Sequence, residues 1–144
     1  MPNRPIRQII ARRKLVIAHE QTTVVEAARL MEEARVGAIL VIKKEKLVGI
    51  FTERDALTRV LAAALDPAHT HLSRVMTRDP MTIEPDKPFG HALIAMFDHG
   101  FRHMPVIEQG VPIGIVSMRD AQPPELDELE VDLKDREHIS EILR

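Results

Sequence analysis

Gly49-Ile50-Phe51-Thr52-Glu53-Arg54-Asp55-Ala56 and Gly114-Ile115-Val116-Ser117-Met118-Arg119-Asp120-Ala121 are the two stretches on which the reading of this chain turns. They stand 65 residues apart, and the same offset carried upstream without a gap pairs Val41-Ile42 with Val106-Ile107, Met31 with Met96, Ala27 with Ala92 and Arg13 with Arg78. Self-similarity at a fixed period marks an internal duplication. Each stretch reads as an apolar strand running into a helix start, because a Thr or Ser followed three residues later by an acid is the capping-box pattern. Such a box needs no ligand, since the hydroxyl and carboxylate already satisfy orphan N–H groups. Two copies at one repeat position nevertheless point to a pair of matched sites. A helix N-terminus bearing both groups suits a nucleotide: its N–H groups and dipole face phosphate, and the acid accepts from sugar hydroxyls.

Working outward, residues 1–15 are basic with apolar Ile6, Ile9, Ile10 and Leu15, which predicts a short helix leading into a strand at Leu15-Val16-Ile17. Thr23-x-x-Glu26 opens a helix with Val24, Ala27, Ala28, Met31 and Ala34 on one face. Phe89, Ala92, Leu93 and Met96 keep the same phase in the second copy, with Pro88 at the first turn and Gly100 as the stop. Each helix is followed by two apolar runs joined by a polar turn, Ala38–Ile42 with Leu47–Phe51 and Met104–Ile107 with Val111–Val116, a hairpin signal. The last helix of the first copy should run to Leu65, where Asp66-Pro67 breaks it.

The unit is therefore β-α-β-β-α. One such unit offers a small sheet with one apolar face, too little to stand alone, and the second copy supplies its partner. The expected class is α+β: two pseudo-symmetric repeats, residues 8–65 and 72–121, packed sheet to sheet, followed by an acidic helical tail over residues 122–144. In the tail Pro123-Pro124 interrupts the repeat, and Leu126, Leu129, Leu133, Ile139 and Leu143 form an apolar stripe among acids. That stripe either packs on its own domain or joins two copies.

A chain of 144 residues accommodates the two mutually dependent halves and no large further domain. With 44% hydrophobic and 29% charged residues it has the composition of an ordinary globular protein. Four Phe and no Trp or Tyr leave the core aliphatic and give little support for stacking on single-stranded nucleic acid. The absence of Cys excludes thiol catalysis, disulfides and thiolate metal sites, and is compatible with the cytoplasm. No apolar run approaches membrane-spanning length, and the N-terminus does not read as a secretory signal. Residues 122–144 carry 8 acids and 3 bases, against 17 bases and 14 acids before them, so a mildly basic body precedes an acidic tail. A net charge of +3 on the body suits anionic nucleotides and falls short of a nucleic-acid footprint. His69-Thr70-His71 in the connector has no further ligand at metal spacing, so no metal site is expected.

Together with Val75-Met76-Thr77, Pro80-Met81-Thr82-Ile83-Glu84-Pro85-Asp86 and Phe101-Arg102-His103-Met104-Pro105-Val106, the doubled glycine-to-aspartate stretch resembles the paired CBS domains, named for cystathionine beta-synthase, that form a Bateman module. The resemblance covers roughly residues 8–121. It implies composite ligand sites, one built from Thr52 and Asp55 for ribose, Arg102 and His103 for phosphate, and Thr82 with Ile83 near the base. The other would use Ser117 and Asp120 with Ile17 and Ala18, and there the positions of Arg102 and His103 are taken by Gly37 and Ala38. Arg54 and Arg119, each one residue before an acid, offer partial compensation or lie in solvent. On this reading the Asp55 cleft is the phosphate-preferring one, and the Asp120 cleft accepts a bulkier ligand. His103 is either a phosphate group's partner or a satisfied core histidine. In the first role, and near its ordinary pKa, it would strengthen phosphate binding as pH falls from about 8 to 6.

The resemblance implies a cytoplasmic regulatory module that binds AMP, ADP, ATP or NAD(H), needs no cofactor, and signals through a homodimer or a partner protein. S-adenosylmethionine fits less well, having no phosphate for Arg102. A nucleic-acid-binding regulator using the basic N-terminus is the alternative, although nucleic acid and membrane are not the expected partners. For catalysis the chain offers no G-x-x-x-x-G-K-[ST], no G-x-G-x-x-G after a strand, no H-E-x-x-H and no G-x-S-x-G. Ser117 has no sequence-evident base, so an enzyme is not expected.

Overall fold

In the computed structural model, which describes residues 4–142, the two copies fold with the same register. In the first copy β2 (Ala38–Lys43) and β3 (Lys46–Thr52) form an antiparallel hairpin that pairs Ala38 with Thr52 and Val41 with Gly49, then slips between Val41 and Ile42. In the second, β5 (His103–Glu108) and β6 (Val111–Ser117) pair His103 with Ser117 and Val106 with Gly114, then slip between Val106 and Ile107. β1 (Ile17–His19) runs parallel to β2 and sets Ala18 beside Val41. Its counterpart in the second copy is a single parallel bridge from Ile83 to Val106. The order β1-β2-β3-β4, with β4 at Thr77–Arg78, makes one sheet, and β5-β6 makes the other.

The helices α2 (Val24–Ala34) and α5 (Phe89–His99) each bury one face, Val24, Ala27 and Met31 in the first and Phe89, Ala92, Leu93 and Met96 in the second. Thr23 caps α2 by accepting from the Glu26 N–H at 3.3 Å. Between the two sheets, Ile115 of β6 packs against Ala38, Leu40 and Ile50 of β2 and β3.

The packing units are not the sequence repeats. α1 (Ile6–Ile10) opens the first repeat, yet Ile6, Ile9 and Ile10 are buried among Phe89, Leu93, Met96, Met104 and Val116 of the second. Conversely, α4 (Leu72–Val75) opens the second repeat and sends Leu72, Val75 and Met76 into the cluster of Val24, Ala27, Met31 and Phe51. This exchange explains the glycine of the doubled stretch. A Cβ on Gly114 would lie 2.9 Å from Ile10 Cβ, and one on Gly49 would lie 3.0 Å from the Thr77 carbonyl oxygen.

Three expectations are corrected. The first strand begins at Ile17, where pairing with Leu40 starts, leaving Leu15 and Val16 as an approach segment outside it. The helix after Thr52 does not reach Leu65: α3 (Glu53–Asp55) continues as π-helical Ala56–Leu61 and closes there. Leu65 N–H reaches back five residues to the Val60 carbonyl at 3.0 Å, and Ala64 turns left-handed at φ 56°. The tail stripe also divides. In α6 (Pro123–Ile142) Leu129 and Leu133 pack on the α5 core, whereas Leu126 and Ile139 are 45% and 56% exposed; Leu143 lies outside the described residues.

α6 is fastened at both ends of its contact. Arg4 forms a two-pronged pair with buried Glu125, at 2.8 and 3.3 Å, and Arg136 meets Asp98 at 2.9 Å. In the second copy the chain breaks into a 3₁₀ turn at Met118–Asp120, because Pro123 and Pro124 stand where the first copy continues its helix. No helix among the described residues is long and apolar enough to cross a membrane.

Candidate functional site

The two strand-to-helix turns are built alike and balanced differently. Thr52 N–H and Oγ1 both donate to Asp55 Oδ2, at 3.0 and 3.1 Å, and Asp55 N–H donates back to Thr52 Oγ1 at 3.2 Å. Arg59, one turn on, lies 3.5 Å from Asp55 Oδ1. In the second copy Ser117 N–H donates to Asp120 Oδ2 at 2.8 Å. Pro124 occupies the position equivalent to Arg59, and the counter-ion comes from elsewhere. Arg13 places its fork on the carboxylate, Nη1 to Oδ2 at 3.0 Å and Nη2 to Oδ1 at 2.5 Å.

Around Asp120 opens a cavity of about 470 Å³. Both repeats line it: Ser117, Arg119, Asp120, Gly114, Ile115 and His103 come from the second, and Arg13 to Val16 with Ala34 to Ala38 come from the first. Its apolar wall includes Leu15, Val16, Ala38 and Ile115, and its charged rim carries Arg13, Lys14, Arg35 and Arg119 against the single acid Asp120. The volume is that of a small-molecule site.

Ser117, Arg119, Asp120, Gly37, Ala38 and His103 thus converge on one cavity. Ile17 and Ala18 do not line it; Leu15 and Val16, two residues earlier, do. Ala18 is instead buried in the first repeat's core. His103 lines the Asp120 cavity, and it also stands close to Glu53, which adjoins the Asp55 turn. A Cβ on Gly37 would lie 3.3 Å from His103 Nε2 and 2.9 Å from Glu53 Oε1. Arg102 and Thr82 are exposed, Ile83 is half-buried and hydrogen-bonded to Pro105 and Ile107, and Arg54 reaches the Gly100 carbonyl at 3.5 Å. None of Thr52, Asp55, Thr82, Ile83, Arg102 and Arg54 lines the Asp120 cavity.

The Asp120 cavity therefore carries a cationic rim of its own, which the sequence reading, placing the phosphate-preferring cleft at Asp55, did not expect. Arg13 and Lys14 lie in the approach to β1, which no strand or cap signal connects to Ser117. Arg35 carried a signal that was missed: it stands at the helix-stop position that Gly100 fills in the other repeat. Burial pushes the His103 imidazole below its ordinary value of 6.5. Glu53 and Asp120 oppose that shift, and Arg102 and Arg119 reinforce it.

The connector histidines are placed structurally. His69 Nδ1 contacts Asp66 at 2.6 Å, and His71 bridges to Thr23. The described residues contain no group of three His, Cys, Asp or Glu able to hold a metal ion.

Comparison with known proteins follows the same division. A CBS domain-containing protein of Arabidopsis thaliana, CBSCBSPB2, is 41% identical over 106 residues, which cover 73% of this chain and 20% of that protein. The chain spans about a fifth or less of the length of the first curated relatives it matches. Among solved structures, the CBS domain protein PAE2072 from Pyrobaculum aerophilum, complexed with AMP, superposes with a TM-score of 0.78 at 25% identity, covering 89% of this chain and 99% of that one. The CBS domain pair of protein MJ0100, in complex with methylthioadenosine and S-adenosyl-L-methionine, gives 0.72 at 26% identity, covering 83% and 93%. The CBS domain family model matches residues 6–62 and again 72–121, and with both halves of its fold so matched the chain belongs to the CBS domain family.

Proposed function

We propose that the protein is a regulatory module whose Asp120 cavity binds an adenosine-containing ligand, AMP, ADP, ATP or NAD(H), and releases it chemically unchanged. One observation carries this reading: a single cavity joins a strand-to-helix carboxylate, an apolar wall and four cationic side chains drawn from both repeats. In it the Asp120 carboxylate accepts from the ribose diol. The adenine lies against Leu15, Val16 and Ile115, and the phosphates face Arg13, Lys14, Arg35 and Arg119. To admit the diol, Arg13 must leave the carboxylate and turn to phosphate, an exchange of one charge-assisted bond for another. The AMP complex of PAE2072 and the methylthioadenosine and S-adenosylmethionine complex of MJ0100 support an adenosine ligand in this fold.

The Asp55 turn, with Thr82, Ile83 and Arg102, is proposed as a second and weaker position, since Thr82 and Arg102 are exposed and none of the four lines the Asp120 cavity. Signalling passes through a second copy of the chain or a partner protein, in the cytoplasm. Calorimetry with AMP on wild type, Asp120→Ala and Asp55→Ala tests the assignment. Losing a charge-assisted bond at Asp120 should weaken AMP about ten- to a hundredfold, and Asp55→Ala should cost less. Unchanged AMP affinity in a folded Asp120→Ala protein overturns the placement, and chemical conversion of the recovered nucleotide overturns the purely regulatory role.

A further inference from the structure

The two copies of the fold stop their central helices in the same way with different residues. At the end of α5 the stop is Gly100, at φ 73°, and at the end of α2 it is Arg35, at φ 56°. Each donates its N–H to carbonyls of the preceding turn, Met96 and Phe97 for Gly100 and Met31 and Glu32 for Arg35. A left-handed stop of this kind favours glycine, because any side chain is strained there. Other non-glycine residues, Ala64 among them, also take a positive φ, so what sets Arg35 apart is its place at the cavity. Arg35 lies on the rim of the Asp120 cavity, and Gly100 does not line it.

The electrostatic balance of the rim points the same way. Arg13 is matched by Asp120. Lys14, Arg35 and Arg119 make no side-chain hydrogen bond or ion pair with any of the described residues, so three cations face the cavity uncompensated. A nucleoside monophosphate bears too little negative charge to occupy all three, and a longer phosphate chain suits them. We propose that Arg35 is a specificity-determining residue that reads the outer phosphates of a nucleoside di- or triphosphate in the Asp120 cavity. This rests on the reading of that cavity as a nucleotide site and narrows its ligand class.

Another role is open to an arginine at a helix C-terminus, favourable interaction with the helix dipole. The Arg35→Gly substitution separates the two. It restores the residue the other repeat uses, so the protein should fold with an unchanged or higher Tm; a lower Tm with unchanged binding would assign Arg35 to the dipole and overturn the proposal.

The binding arm titrates adenosine, AMP and ATP into wild type, Arg35→Gly and Arg35→Lys. ATP should bind wild type more tightly than AMP. Arg35→Gly should weaken ATP about tenfold, the scale of one lost charge-assisted contact, while AMP changes less than about twofold and adenosine does not change. Arg35→Lys should recover part of the ATP affinity. Equal losses for all three ligands, or wild-type ATP binding no tighter than AMP, overturns the role of Arg35 and leaves the nucleotide site standing. Failure of wild type to bind adenosine, AMP or ATP overturns both.

Discussion

Asp120 and its partners show how one carboxylate can be satisfied within the fold while standing at a cavity. Its side chain is 9% exposed and is held by Ser117 N–H and the Arg13 fork, so without a ligand its charge is already compensated. Removing the fork leaves a nearly buried carboxylate short of donors, at a cost of about 1–3 kcal/mol. Arg13→Ala should therefore lower stability in urea denaturation by that order, and saturating adenosine, whose diol supplies replacement donors, should recover more stability in the variant than in wild type. Equal recovery would mean that the diol does not meet Asp120. His103 adds a dependence on pH. Because its folded pKa lies below the ordinary 6.5, the unfolded chain takes up the proton first as pH falls. The contribution of neutral His103 to stability is thus complete above about 6.5 and is lost as pH falls through the lower folded value. The pH window lies lower than the sequence alone suggested. A phosphate placed near the ring would raise that value, so AMP binding near pH 6 should draw in a proton that His103→Gln does not take up. Calorimetry in buffers of different ionisation heat reads it, and subtracting the variant removes the ligand's own titration; identical uptake in both proteins would exclude His103 from the phosphate's surroundings.

At the scale of elements, the doubled glycine is a packing residue before it is part of any site. β6 can bring Gly114 against Ile10 only without a side chain, and Gly114→Ala must push α1 away from the Phe89 and Leu93 core. Overpacking of this kind costs about 1–3 kcal/mol. A Tm drop is the expected result, and an unchanged Tm would show that α1 yields freely. The duplication, helix phases, hairpins and caps were legible because each rests on local pattern: Thr23 on Glu26, Thr52 on Asp55, and apolar positions spaced for one helix face. The exchange of α1 and α4 between repeats was not legible, since Ile6, Ile9 and Ile10 have the same helical spacing whichever core receives them. For the same reason Arg13 and Lys14 escaped the site. Their relation to Ser117 and Asp120 is created by tertiary packing across more than a hundred residues, where no period or cap connects them. Ile17 and Ala18 were implied by the family resemblance; Ala18 does hold the pairing position equivalent to Ile83, but neither residue lines the cavity wall.

For the molecule as a whole, the sequence offered the tail as a joining surface, and the fold removes half of that offer. Leu129 and Leu133 are committed to the α5 core, held there by Arg4 with Glu125 and by Arg136 with Asp98. Large apolar side chains remain in solvent elsewhere, notably Leu57 and Leu61 on the π-helical segment, 58% and 72% exposed, and Phe97 on α5, 54% exposed. Single exposed apolar residues are ordinary, but Leu57 and Leu61 are spaced to lie near one another on a helix surface. Closed two-fold dimers are the commonest assembly, and an isologous contact uses the same patch on both copies. The expected outcome is a mass near twice 16.3 kDa in light scattering at micromolar concentration. Leu61→Asp should return the mass to that of one chain, because a carboxylate facing its own symmetry mate is desolvated and repelled. Since Leu61 lies outside the Asp120 cavity, the monomeric variant should still bind AMP, so assembly and ligand binding are separable in one experiment. A wild-type monomer, with and without AMP, would exclude the dimer, and a Leu61→Asp dimer would move the interface to the outward residues of α6, where Leu126→Asp is the next substitution to weigh.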